Sequence, residues 1–174
     1  MTKPTIELRK IQLAKNLSEE TPAYTAQLWV DGKHFCDVQN QGHGGCDMYH
    51  AVKGVQKNVW DEVAALDARI KATYPKIDVS DIYRDGQKHE MDESVETICH
   101  GLVWDSDLVK TVKRDLSKKV MWVSPKDGKI YQIKLDHPSH REPAIAAVKS
   151  KHGVAKTLNE MTIDEAVAAY KSAA

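Results

Sequence analysis

The chain has 174 residues and as many Lys and Arg as Asp and Glu, 25 of each, a balance that excludes a binder held to nucleic acid mainly by its own positive charge. Apolar residues make up 41% of it but only one is Phe, so Val, Ile, Leu, Ala and four Trp must fill a core that a chain of this length can bury without staples. Nothing approaches the roughly 18 apolar residues of a membrane span, and three cysteines without an apolar run after Met1-Thr2-Lys3-Pro4 predict reduced thiols and a cytoplasmic location.

The first predicted element is a strand over Thr5–Leu13. Ile6 and Leu8 share one phase and Ile11 and Leu13 the other, which places a bulge or bend near Arg9-Lys10. Asn16–Pro22 is polar and reads as a loop. Tyr24, Ala26, Leu28 and Val30 alternate with Thr25, Gln27 and Trp29, the period of a half-buried strand. Asp31-Gly32 is the strongest hairpin signal in the chain. It returns the chain through His34–Gln39, in a bulged register that sets Leu28 near Cys36 and Trp29 near Phe35, with Cys36 and Val38 on the apolar face.

The run Asn40–Asp47, N-Q-G-H-G-G-C-D, follows. A helix is predicted to leave it over Met48–Tyr74, with Val52, Val55, Val59, Val63, Leu66 and Ile70 at helical spacing, a weak point at Gly54–Asn58 and a stop at Tyr74-Pro75. Lys76–Glu90 reads as an exposed loop with at most a short strand. Two further helices fit Asp92–Trp104 and a segment capped by Asp105 or Ser106 with Leu108, Val109, Val112 and Leu116 inward. A second hairpin pairs Lys119–Val123 with Lys129–Leu135. Pro143 sits in the first turn of a helix through about Lys151 that Gly153 closes, and Thr162 to Glu165 form a capping box for a last helix to Lys171, with Met161 stapled onto Ala166. The order describes an α+β fold: an antiparallel N-terminal sheet with a D-G hairpin, central amphipathic helices, a second hairpin near 119–135 and two short C-terminal helices. It is read as a single compact domain over 1–174, with 1–75 and 92–174 as its sub-parts.

Chemistry gathers at the glycine corner, and three readings of it compete. Cys36, His43, Cys46 and His50 are thiol and imidazole ligands that suit zinc, with His34 as a spare, although their spacing matches no standard finger. Alternatively Gly42, Gly44 and Gly45 turn N–H groups toward an anion, with His43 beside it and a helix start adding its dipole. Asp47 opposes that reading, because a carboxylate at the helix start competes with the anion. The third reading is a tight turn that determines shape and nothing else. Elsewhere, Asp136–Glu142 crowds two histidines and carboxylates into one loop.

Charge is unevenly placed. Residues 1–100 carry 16 acidic against 12 basic side chains and residues 101–174 carry 9 against 13. Lys110, Lys113, Arg114, Lys118 and Lys119 form a basic surface with Trp104, Trp122 and Tyr131 nearby, a mixture that single-stranded nucleic acid can use. The same cations also fit the solvated face of an amphipathic helix, and nucleic acid ranks below a protein partner.

The segment Tyr24–Tyr49, Y-T-A-Q-L-W-V-D-G-K-H-F-C-D-V-Q-N-Q-G-H-G-G-C-D-M-Y, resembles a group of small phage and bacterial proteins in which a V-N-G-K hairpin runs into a Gly-x-Gly-Gly corner. The resemblance carries no activity with it. It implies a phage or mobile-element accessory protein acting in the host cytoplasm. The sequence therefore points first to a non-enzymatic binding protein that modulates a host macromolecule. Second comes a protein or enzyme that handles a nucleotide or phosphorylated metabolite at 42–45, with zinc as its metal.

Overall fold

The computed structural model describes residues 2–54, 58–83 and 85–173. They divide into two compact units, Met1–Asp105 and Ser106–Ala174. The division falls inside the segment 92–174 that the sequence reading treats as one sub-part.

The first unit is built on a four-stranded antiparallel sheet in the order β1-β2-β3-β4, with β1 at Ile6–Leu13, β2 at Tyr24–Val30, β3 at Lys33–Asn40 and β4 at Met48–Ala51. The predicted bulge in β1 is present: pairing with β2 shifts between Arg9 and Gln12, and Lys10 has a φ of +53°. The β2–β3 hairpin turns on Asp31 and Gly32, both at positive φ, and Leu28 lies opposite Cys36 as expected. Trp29 faces His34 instead of Phe35. The turn therefore has two residues, and the extra residue sits in the returning strand at Phe35.

One face of the sheet is buried. Leu28, Cys36 and Val38 meet Val63, Leu66 and Ile70 of helix α1 (Val59–Thr73) and Val95, Cys99 and Val103 of helix α3 (Val95–Lys118). Each such aliphatic side chain contributes about 1.5–3 kcal/mol by leaving water. The helix predicted to begin at Met48 begins at Val59, with the Asn58 side chain accepting from the Trp60 N–H. Met48–Ala51 pairs with β3 instead, which buries Tyr49 opposite Val38 and leaves Met48 and His50 exposed. Val55 lies outside the described residues, so the repeat observed is Val59, Val63, Leu66 and Ile70. Between α1 and α3, a two-residue ladder (β5, Ile77–Asp78, with β6, Glu90–Met91) and one helical turn (α2, Ser80–Tyr83) interrupt the predicted loop.

The two predicted helices over 92–116 are one, α3. Buried Val95, Cys99 and Val103 follow a four-residue step, and Leu108, Val112 and Leu116 resume it one residue late. That phase change reads as a break in the sequence, yet the backbone hydrogen bonding continues through it.

In the second unit β7 (Lys119–Val123) pairs with β8 (Ile130–Lys134) as predicted. Both faces of β7 are covered. Val120 and Trp122 pack on Ile145, Val148 and Val154, while Met121 packs with Val112, Leu158 and Ala166. Apart from Val112 of α3 and Val154, which follows α4, these come from helices α4 (Arg141–His152) and α5 (Ile163–Ser172) and the short turn Leu158–Glu160. Gly153 closes α4 in the left-handed conformation, and the Thr162–Glu165 capping box is formed. A second capping box, Thr157 with Glu160, starts the turn at Leu158. Asn159 fastens that turn to the hairpin, accepting from the Met121 N–H at 2.9 Å and donating to the Lys119 carbonyl at 2.8 Å.

Candidate functional site

The glycine corner connects two strands, β3 and β4, rather than a strand and a helix. No helix N-terminus therefore adds its dipole at Asp47. Gly42 is buried at φ +92°, and a Cβ there would lie 2.1 Å from the Leu17 carbonyl oxygen. That carbonyl belongs to the loop the corner closes over. The Gly42 carbonyl in turn accepts from the backbone N–H groups of Glu19 and Glu20 at 3.0 and 3.1 Å. Gly44, at φ +78°, faces the Glu20 carboxylate in the same way. Gly42 excludes a side chain because backbone already occupies the space, whereas at Gly44 the Glu20 side chain can move aside and the left-handed backbone is what favours glycine.

Two of the three N–H groups expected to cradle an anion are used internally. Gly42 N–H donates to Asn40 Oδ1 at 2.8 Å and Gly44 N–H to Thr21 Oγ1 at 3.3 Å. Thr21 Oγ1 also donates to Asn40 Oδ1 at 2.8 Å, and Asn40 Nδ2 donates to the Gly45 carbonyl at 2.8 Å. The corner is thus braced by Asn40 and Thr21 against its own backbone.

Asp47 is the hub behind it. Its side chain has no solvent exposure, and a buried carboxylate must find donors. Tyr24 Oη donates to Oδ2 at 2.5 Å, Asn40 Nδ2 donates to Oδ1 at 3.0 Å, and His100 Nε2 lies 3.0 Å from the same Oδ1. Strands β2 and β3, the corner and helix α3 therefore meet on one carboxylate. Glu96, four residues before His100 and so on the same face of α3, brings Oε1 to 4.0 Å from His100 Nε2. Burial and then the nearby Asp47 raise the Glu96 carboxyl above its ordinary value. Burial also pushes the Tyr24 and Tyr49 phenols and the Cys99 thiol well upward, with Asp47 adding to each. These groups stay protonated, and Tyr24 serves as a donor.

The sequence-predicted ligands are dispersed. Cys36 is buried in the sheet core, where burial followed by Asp37 and Glu62 pushes its thiol up to about 12. Cys46 is exposed, His43 is exposed beside Glu19 at 3.0 Å, and His50 stands on the outer face of β4 opposite Asp37. His34 lies 3.0 Å from Asp37 and stacks on Trp29. Among the described residues the one group of three or more metal-type ligand atoms within 4.8 Å of one another is Asp47, Glu96 and His100. Of these only Asp47 was singled out in the sequence. The i, i+4 pair Glu96/His100 was the available signal.

A groove of about 620 Å³ opens beside the corner. Leu13, Ala14, Leu17 and Ala23 form its apolar part, and Gln12, Thr25, Gln41 and His43 stand around it with Tyr24 and Asn40. No Lys, Arg, Asp or Glu lines it among the described residues. In the second unit Lys110, Lys113, Arg114 and Lys118 are exposed on α3, and Arg114 and Lys119 approach Asp115 at 3.6 and 3.2 Å. The loop His137–His140 is exposed, its histidine nitrogen bonded to Ser139. No helix of the described residues is long and apolar enough to cross a membrane. Comparison with family models, curated proteins and solved structures gives no match.

Proposed function

We propose that the chain is a non-enzymatic binding protein that receives a short apolar segment of a partner protein in the groove beside the glycine corner. The lining of the groove carries this reading. Leu17, half exposed at its edge, and the half-buried Leu13 and Ala14 offer apolar surface, and uncharged polar groups surround them to fix an incoming backbone. The resemblance of Tyr24–Tyr49 to small phage and bacterial proteins makes a host protein the partner class we favour.

A phosphorylated ligand has less to hold it. The groove lacks a Lys or Arg, His43 is engaged by Glu19, and the Gly42 and Gly44 N–H groups are spent on Asn40 and Thr21.

Selection of random short peptides on the full-length protein tests the proposal. Apolar-centred peptides should emerge, and Leu17→Glu should weaken them at least about tenfold, the equivalent of about 1.4 kcal/mol. The proposal fails if no peptide is selected, or if the selected peptides bind Leu17→Glu as well as the parent.

A further inference from the structure

The groove leaves unexplained why two carboxylates and an imidazole converge beneath the corner. We infer that Asp47, Glu96 and His100 form a binding site for one divalent transition-metal cation of the zinc type.

For metal–ligand bonds of about 2 Å in a tetrahedral arrangement, ligand atoms lie about 3.3 Å apart. His100 Nε2 is 3.0 Å from Asp47 Oδ1 and 4.0 Å from Glu96 Oε1, and all three ligand atoms lie within 4.8 Å of one another. Small side-chain rotations would bring them to bonding distance around one ion. Imidazole nitrogen and carboxylate oxygen together suit zinc and its neighbours rather than calcium or magnesium.

The surroundings also resemble those of a metal site. Tyr24 Oη and Asn40 Nδ2 hold the Asp47 carboxylate in place, the role that outer partners play for metal ligands. Glu96 and His100 ride on consecutive turns of α3, so their spacing is fixed by the helix. The Glu96 and His100 side chains are 33% and 20% exposed. A cation can therefore enter from solvent, and water can complete a coordination that three protein ligands leave open.

Binding replaces the hydrogen between His100 Nε2 and Asp47 Oδ1 with the metal. Nε2 then offers its lone pair and the ring carries its proton on Nδ1. Two carboxylates and one neutral imidazole would leave the filled site with no net charge, relieving the repulsion between Asp47 and Glu96. The expected consequence is a tie between the β3–β4 corner and α3 that strengthens when metal is present.

The test uses the full chain stripped with chelator and titrated with zinc by calorimetry and thermal denaturation. One equivalent should bind and raise the midpoint. Glu96→Gln should weaken zinc at least tenfold while the metal-free chain still unfolds cooperatively, because the amide oxygen can still accept from the Asp47 N–H that Glu96 holds. A Cys46→Ser/His50→Gln double variant should bind as the parent does. Cobalt bound in place of zinc should show no thiolate-to-metal charge-transfer band. The inference is overturned if no zinc binds, if Glu96→Gln binds unchanged, if the double variant loses binding, or if a thiolate band appears. His100→Ala is a weaker probe, since it also removes a partner from buried Asp47.

Discussion

The two units solve the same problem, burying a small sheet, in opposite ways. In the first, residues far apart in sequence converge: Tyr24, Asn40 and His100 reach Asp47 across up to 53 positions. In the second, local devices dominate. Two capping boxes span four residues each, and a hairpin supplies a strand that is covered on both faces. A structure held by long-range convergence concentrates its stability in a few side chains. A structure held by local devices spreads it over many small ones.

That contrast can be broken most directly by comparing one hub with one cap. Asp47→Ala removes a buried acceptor from three polar partners and should cost about 3–5 kcal/mol in denaturant melts. Thr162→Ala removes one cap and should cost about 1 kcal/mol. Equal losses would show that the convergence at Asp47 is no more important than a helix cap.

Next in size is the corner itself. Gly42→Ala places a Cβ against the Leu17 carbonyl at a backbone angle unfavourable for alanine, and should cost about 3 kcal/mol. At Gly45 nothing lies within 4 Å and the backbone angle is not in the left-handed region. Gly45→Ala should therefore be neutral or stabilising by up to about 1 kcal/mol. If Gly42→Ala melts like the parent, the corner is not the rigid closure described above.

The smallest effect is a difference in response to acid. The Thr157 N–H and then Lys149 hold the Glu160 carboxyl down at about 2. Its stabilising contribution is present above its ordinary value of 4.5 and is lost as pH falls toward 2. Glu96 is shifted upward, so its contribution is present below 4.5 and is lost as pH rises through the raised value. Glu160→Gln should flatten the acid loss, and Glu96→Gln should remove an opposing gain. Thermal midpoints across the acid range distinguish them, and parallel curves for the two variants would contradict the assignment.

The second unit was the more legible in sequence because its signals are short-range. Pro143, Gly153, the Thr162–Glu165 box and the 119–135 hairpin all appear where residue chemistry placed them. The D-G hairpin and the β1 bulge were legible for the same reason. Strand β4 was not, because Met48–Ala51 is four residues long and only Tyr49 among them is buried. With Val52 and Val55 next in line, a helical repeat looked complete. The unity of α3 was hidden by the change of apolar phase between Val103 and Leu108. At the candidate site, Asp47 was visible beside the glycines, but Tyr24, Glu96 and His100 join it only once β2 and α3 are folded against the corner. No local spacing records that meeting.

The three cysteines differ sharply in access. Cys36 and Cys99 are sealed in the core of the first unit with thiols held protonated, whereas Cys46 is exposed three residues from His43 and next to Asp47. The native chain thus supplies one addressable attachment point at the corner. A maleimide dye or nitroxide coupled under non-denaturing conditions would settle on that residue and report, without any engineering, on events at the groove and at Asp47.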